Sequence, residues 1–405
     1  MENKFYKYAY LLLTKGLYIK ENQPLVINAP IDAADFVRVL TKVACELNIR
    51  DIYYDWTDEE IKHTALSYFN EEEIKNSRFW DKSIHDEYAK KDAAFLMLTS
   101  SGDNIMKDIN SNKMKVAAYQ ALNTRSLYRE KQANNDISWC IASVATQRWA
   151  DLLFPGTNNN KEKLWELLLD ICLVNEDNPC KAWLDKMEEN SLMCKKLTNL
   201  NIKELHYQSK NGTNFKVELS KGAIWCGGSS DIHGNNLIVN LPTEEVFTTP
   251  NTYKTNGVIY ASMPLVHAGV IIKDIMLEFM DGKVINFDAS EGKEELENII
   301  TFDEFASMLG EIALVDKNSK IAKSNVLFYE TLYDENASCH IAVGRGFKEC
   351  LKNGNELTEE ELIENGYNQS KNHVDIMIGT KDLNITAITY DNKEIIIFKD
   401  GSFNI

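Results

Sequence analysis

Positive charge is scarce in this 405-residue chain: 44 Lys and Arg stand against 61 Asp and Glu, a net charge of −17. Nucleic acid and anionic membranes are bound through basic faces, so neither is expected as a main partner. Long apolar runs are also missing. None approaches the roughly 18–20 residues that a membrane-spanning helix needs. The best N-terminal candidate for a signal-peptide core, Ala9 to Leu13, is too short and has polar residues on both sides, which predicts a cytoplasmic protein. The eight cysteines (45, 140, 172, 180, 194, 226, 339 and 350) form no CxxC pair. Their scatter argues against a disulfide framework and against a structural zinc knuckle, and leaves most of them as small buried hydrophobes. The glycine-rich and catalytic signatures are absent too. There is no GxGxxG after the first strand, no Walker A loop, no Gly-x-Ser-x-Gly elbow and no HExxH. Dinucleotide binding, P-loop chemistry, serine hydrolysis and a thermolysin-like zinc site all lose their usual marker. Neither a low-complexity linker nor an internal repeat is present.

What remains is ordinary globular composition, 44% hydrophobic and 26% charged. Domains of about 100–200 residues make two domains the expectation for this length. The first half alternates strand and helix signals. Pro24 to Ala29 reads as a strand, followed by a helix over Ala33 to Leu47 with Phe36, Val39, Leu40, Val43 and Leu47 at helical spacing. Asp51 to Trp56, Ala93 to Thr99 and Ile137 to Ala145 read as further strands. Such alternation implies parallel βαβ units in a Rossmann-like sheet. Two helices are expected over Lys161 to Leu173 and Lys181 to Leu197. Beyond Asn199 the pattern turns to strands with hairpin signals at Asn211-Gly212, Asp281-Gly282 and Asp391-Asn392. Helices are expected to interrupt these strands at Lys293 to Ile300 and Asp303 to Ala313. The sequence therefore predicts an α/β protein: a Rossmann-like domain over 1–195 and a mixed α+β, hairpin-rich domain over 196–405.

Residues suited to chemistry concentrate in the second half. In HVDIMIG, a strand would point His373 and Asp375 to one face and Val374, Ile376 and Ile378 to the other. That pair is half of a metal site, or else a surface salt bridge. In DEFASMLGEIAL, Phe305, Met308, Leu309 and Ile312 read as a helical stripe with Glu311 on its flank in the last turn. A carboxylate there is mildly disfavoured by the helix dipole, a cost that a cation or simple solvation removes. TLYDENASCH holds Asp334, Glu335, Asn336 and His340, a loop and strand able to supply ligands or to form an Asx-type turn with a satisfied histidine. In LPTEEVFTTP, Thr243 reads as an N-cap with Glu244 and Glu245 in the first turn. The remaining histidines (63, 85, 206, 233 and 267) show no carboxylate at metal spacing, and His85-Asp86-Glu87 reads as a solvent-facing helix surface. Cys226-Gly227-Gly228 and Gly344-Arg345-Gly346 read as turns or close packing.

Taken in order, LPTEEVFTTP, LGEIALV, FYETLYDENASCHIAVG, NHVDIMIG and IFKDGSF resemble the successive blocks of the aminopeptidase T/aminopeptidase S family of metallopeptidases. PLVINAPIDAADFVR and ISWCIASVATQRWA fit as well, so the likeness runs from about residue 20 to the end. It implies two divalent metal ions per chain (zinc, cobalt or manganese) and removal of N-terminal residues from short peptides. It also implies a homodimer. Matched by motif, Glu245, Glu311, His340, His373 and Asp375 become metal ligands, with Glu311 bridging and catalytic. Glu335 becomes a further ligand or the general base. Carboxylates with imidazoles suit such metals better than calcium, which prefers oxygen alone. One position departs from the family pattern. A tyrosine is expected seven residues after His340, and Phe347 stands there. Its ring lacks the hydroxyl that would donate a hydrogen bond, and Tyr329 and Tyr333 are the nearby substitutes in sequence. A second reading follows from this departure: a metal-binding relative with little peptidase activity, serving as a peptide-binding scaffold. A third keeps the two-metal site but places another amide with a free amine in it.

Overall fold

Short runs of Val, Ile, Leu and Ala between turn residues build the first sheet. The computed structural model describes residues 1–76, 79–101 and 105–405, and they fall into two units. The first comprises Met1–Asp185 and Ser229–Pro242, the second Lys186–Gly228 and Thr243–Ile405. In the first unit the strands β1 (Leu25–Pro30), β2 (Ile52–Thr57), β3 (Ala94–Thr99) and β4 (Trp139–Ser143) pair in the order β2-β1-β3-β4, and Asn240–Leu241 adds a short fifth strand beside β4. Every pairing is parallel, as expected for βαβ units. The helix Ala34–Glu46 buries Phe36, Val37, Leu40, Val43 and Ala44, so Val37 takes the core position expected of Val39. The expected helices near 161–173 and 181–197 are Asn160–Ile171 and Pro179–Asn199.

The expectation of a solvent-facing surface at His85 is overturned. His85 lies on the helix Phe79–Lys90 but is buried, with Nε2 3.4 Å from the Asp55 carboxylate. Asn28 and Arg125 also donate to that carboxylate. Only Glu87 of the three stays exposed, paired with Lys90. The partner of His85 stands on another element, thirty residues earlier in sequence, so local spacing gave no sign of it.

The second unit holds an eight-stranded antiparallel sheet. Its strands run in space as Lys283–Asp288, Met276–Met280, Pro250–Tyr260, Asn214–Leu219, Ile202–Gln208, Asn384–Thr389, Glu394–Lys399 and Ser402–Phe403. The three dipeptide turn signals all join adjacent strands of this sheet. At Asp281-Gly282 the glycine is required: its φ is +86°, and a Cβ there would stand 2.0 Å from the Thr252 carbonyl oxygen.

A separate four-stranded antiparallel sheet positions the polar residues of interest. It comprises β5 (Val246–Thr248), β6 (Leu309–Leu314), β7 (His340–Gly344) and β8 (His373–Met377), in that order. The helix expected over Asp303 to Ala313 is thus a turn followed by strand β6. All six residues of β6 are buried. A run covered on both faces shows no alternation and is indistinguishable by periodicity from a buried helix. Directly opposed residues of an antiparallel ladder share a face. The register sets Glu311 opposite Ala342, Ala342 opposite Asp375, and Gly344 opposite His373. One face therefore carries Glu311, His340, His373 and Asp375. The other carries Ile312, Leu314, Ile341, Val343, Val374 and Ile376, all within a large apolar core.

The register between β6 and β7 shifts between Leu309 and Glu311, which makes Gly310 a bulge residue. Bulges re-aim the side chain that follows. A Cβ on Gly310 would meet the Gly344 carbonyl oxygen at 2.1 Å and the Arg345 carbonyl group at 2.4 Å. Gly310→Ala is accordingly expected to force β6 and β7 apart, costing about 3 kcal/mol. Denaturant unfolding followed by circular dichroism measures this. A variant as stable as the wild type would show that the strands yield freely at this point.

Candidate metal centre

Six polar side chains converge on the face of the four-stranded sheet and its border. Two sets of three have ligand atoms within 4.8 Å of one another: Glu245, Glu311 and His340, and Glu311, His373 and Asp375. Glu311 belongs to both. Glu245 stands just before β5, and since Phe247 opposes Ala313, strand alternation brings Glu245 to the same face. The N-cap expected at Thr243 does not form. Thr243 to Glu245 carry no helix, the Glu244 N–H donates to the Asn336 side-chain oxygen, and the Glu244 carboxylate pairs with Lys186 at 2.6 Å. Of the two adjacent acids, one is held by a lysine and the other turns into the centre.

Both histidines are oriented by backbone carbonyls. His340 Nδ1 lies 3.0 Å from the Glu335 carbonyl oxygen and 3.2 Å from that of Ser338. His373 Nδ1 lies 2.7 Å from the Arg345 carbonyl oxygen. A carbonyl only accepts, so each Nδ1 carries the proton and each Nε2 is presented to the carboxylates. His340 Nε2 is 3.1 Å from Glu245 Oε2; His373 Nε2 is 3.2 Å from both Glu311 Oε2 and Asp375 Oδ1. Glu245 Oε2 is fully buried and has no hydrogen-bond partner beyond that His340 contact. Several carboxylates buried together with so few donors are costly in a protein interior, and a cation relieves that cost. The residues therefore fit a metal centre by their own chemistry.

Glu335 is buried beside this group on the short helical segment Thr331–Ala337, where Asn336 donates to Glu335 Oε1 at 3.3 Å. It completes neither set of three. Asp334, also buried, does something else. Its carboxylate accepts the N–H groups of Phe328 and Glu330 at 2.8 and 3.1 Å, which fixes the loop leading into the segment. Tyr333, a sequence candidate for the missing hydroxyl, is fully buried against Phe328. Tyr329 is partly exposed with φ +53°. The Phe347 ring lies edge-on to His373, with centroids 5.0 Å apart, and also touches Phe247.

Crowded like charges shift these groups. Burial, then the neighbouring Asp375 and Glu245, pushes Glu311 up to about 7 against the opposing pull of His373. Burial likewise drives Glu335 well above the carboxylate range, reinforced by Asp375, Glu245 and Glu311. Burial alone would lower His340, but Glu245 outweighs it and holds the imidazole up at about 10.

Sequence spacing missed the residues that brace this centre. Asn336 links the Glu244 N–H, the Leu332 carbonyl and Glu335. Thr249 accepts the Phe347 N–H at 2.9 Å and donates to the Gly310 carbonyl at 3.1 Å. Asn368 donates to the carbonyls of Phe305, Met308 and Leu309 at the start of β6. Asn336 and Thr249 lay within quoted segments; Asn368 offered no signal, because its partners stand about sixty residues away. Histidines 63, 85, 206, 233 and 267 each face one acid. Among the described residues none belongs to a set of three.

A sheet face that gathers buried carboxylates and Nε2-presenting imidazoles around a shared glutamate offers the donor set of a metal-dependent enzyme. The thermophilic metalloprotease (M29) family model matches residues 1–403, and the chain belongs to that family. It is similar to aminopeptidase AmpS of Bacillus subtilis, 35% identical over 99% of this chain and 98% of that protein, and equally identical to aminopeptidase 2 of Geobacillus stearothermophilus over the same shares. The solved structure of wild-type AmpT from Thermus thermophilus superposes with a TM-score of 0.91 at 29% identity, covering 99% of both chains. Family and centre together make this chain a metal-dependent aminopeptidase acting on peptides.

The shifts carry a pH signature for the metal-free protein. Glu311 keeps its proton in the folded state up to about 7, whereas the unfolded chain releases it near the usual 4.5, so stability falls as pH rises through that window. His340 adds stability below its usual 6.5 that is lost as pH rises through about 10. Both act in one direction. The chelated protein is expected to melt several degrees lower at about pH 8.5 than at about pH 5.5, and added divalent ion is expected to raise the melting temperature most at the higher pH. Differential scanning calorimetry with and without chelator checks this. A chelated melting temperature that climbs with pH would remove the electrostatic account of the centre.

Proposed function

We propose that Glu245, Glu311, His340, His373 and Asp375 hold two divalent ions, zinc, cobalt or manganese, with Glu311 shared between them. The observation that carries this is the membership of Glu311 in both sets of three. When bound, the ions supply Lewis acidity to the reacting water and carbonyl. The chain's own groups do the rest. The carbonyls of Glu335, Ser338 and Arg345 keep both imidazoles turned toward the centre. Glu335, buried at its edge, takes the proton from the attacking water and passes it to the leaving amine. The surrounding acids also offer partners for the free α-amino group of a peptide, which favours cleavage at chain ends. Short peptides are the substrates we assign.

Phe347 bears on rate rather than on reaction class. It places an apolar edge against His373 where a hydroxyl would add a donor toward developing negative charge. A donor of that kind contributes about 10²–10³ in rate where it is fully aligned. The scaffold reading rests on this one residue, while the donor set is complete without it.

Two variants test the assignment. Glu311→Ala is expected to reduce bound metal from two ions per chain to one or none, with loss of activity, as read by elemental analysis beside N-terminal residue release. Retention of both metal and activity ends the shared-ligand role. Phe347→Tyr is expected to raise kcat tenfold or more at unchanged metal content. A wild type already active, with no gain in the variant, shows that other donors serve the transition state.

A further inference from the structure

The tripeptide Gly344-Arg345-Gly346 closes β7 beside the centre, and its single side chain is uncommitted. The backbone is held from both sides. The Arg345 N–H donates to the Asn372 carbonyl at 2.7 Å, and the Arg345 carbonyl accepts from His373 Nδ1 at 2.7 Å. A Cβ on Gly344 would stand 2.3 Å from the Asn372 carbonyl oxygen, and one on Gly346 would stand 3.1 Å from Thr249 Oγ1. The Arg345 carbonyl group also presses on Gly310, the residue before Glu311. The Cα of Arg345 is thus wedged between the starts of the strands that bear Glu311 and His373.

From this fixed point an exposed arginine extends. Among the described residues its guanidinium has no hydrogen bond, ion pair or aromatic partner, in a chain with 61 acidic residues. Two divalent ions would balance the four carboxylates Glu245, Glu311, Glu335 and Asp375, leaving uncancelled positive charge on the arginine whose own carbonyl holds His373 Nδ1. A guanidinium presents a planar fork of donors that matches a carboxylate. Past the scissile carbonyl, a dipeptide ends in its carboxylate after one residue, about 3.5 Å of extended chain, and a tripeptide after about 7 Å. These spans are comparable to the length of an arginine side chain. Longer peptides carry their terminus beyond its reach.

We propose that Arg345 forms a subsite for the free C-terminal carboxylate of di- and tripeptides, which makes the smallest peptides the preferred substrates. The proposal rests on the aminopeptidase reading above and adds the feature that selects among its substrates.

The test compares kcat/KM of the metal-loaded full chain for Leu-Leu, Leu-Leu-amide and Leu-Asp-amide, in the wild type and in Arg345→Gln and Arg345→Lys, with metal content measured for each. A charged hydrogen-bonded contact corresponds to about a tenfold to hundredfold preference. The wild type is expected to favour Leu-Leu over its amide by that factor, mainly through KM, and less so at high salt. Arg345→Gln is expected to bring the acid-to-amide ratio close to one, and Arg345→Lys to keep part of it. Equal rates on acid and amide in the wild type overturn the subsite and leave the aminopeptidase reading standing. So does an advantage confined to Leu-Asp-amide, which would assign the arginine to an acidic side chain. An equal loss on all three substrates in Arg345→Gln reduces the residue to a structural role. Release from none of the three by metal-loaded wild type overturns the aminopeptidase reading itself.

Discussion

Gathering acidic and imidazole side chains on one buried sheet face is the constraint from which the rest of the second unit follows. Left alone, Glu311, Glu335 and their neighbours repel one another and lose their hydration. The shifts of Glu311 to about 7 and of Glu335 well above its normal range are the measure of that conflict. Protons relieve it at low pH and divalent cations relieve it at high pH. Until one or the other is present, the surrounding scaffold must hold the groups in place, and the hydrogen bonding around the centre is arranged to do so. Carbonyls from Glu335, Ser338 and Arg345 pin the imidazoles. Lys186 holds Glu244 and leaves Glu245 to the centre.

The opposite face of the same sheet supplies the rigidity. Ile312, Leu314, Ile341, Val343, Val374 and Ile376 alternate with the polar positions and lie in the apolar core. Burying side chains of this size contributes about 1.5–3 kcal/mol each. A one-residue slip in register would exchange the two faces, putting carboxylates and imidazoles into the core and aliphatic groups into the centre. The register that makes the core is therefore the register that makes the site. The bulge at Gly310 is the one place where it shifts within the β6–β7 ladder, immediately before the residue common to both sets of three.

Legibility from sequence followed the range of the interactions. The parallel strands of the first unit, the hairpin turns and the shared face of His373 and Asp375 were readable, because each depends on residues two to four apart. The helix expected around Glu311 failed because a fully buried strand loses its period. His85 failed because its partner Asp55 is thirty residues away, and Thr243 because Asn336, some ninety residues on, takes the N–H of Glu244. The gathering of these six side chains was legible only through the ordered blocks of the family. No local spacing joins Glu245 to His340, and a register across three strands is what brings them within 3.1 Å.

Volume is the part of the site that neither charge nor motif announces. The polar face also carries Ala313, Ala342 and Gly344, each directly opposite one of the clustered side chains in the ladder: Ala313 against His340, Ala342 against Glu311 and Asp375, and Gly344 against His373. Directly opposed Cβ atoms lie about 4.5–5.5 Å apart, so larger residues there would fill the space into which the imidazoles and carboxylates converge. Polarity has no role at these positions, since they make no side-chain hydrogen bond to the centre; their smallness is the contribution. Read in sequence they are unremarkable residues inside LGEIAL and HIAVG. In the fold they separate a sheet that gathers polar side chains from a sheet that only packs. The same logic explains why Phe347, which enters from beyond the strand, is the aromatic ring that reaches His373: Gly344, directly opposite His373 in the ladder, carries no side chain.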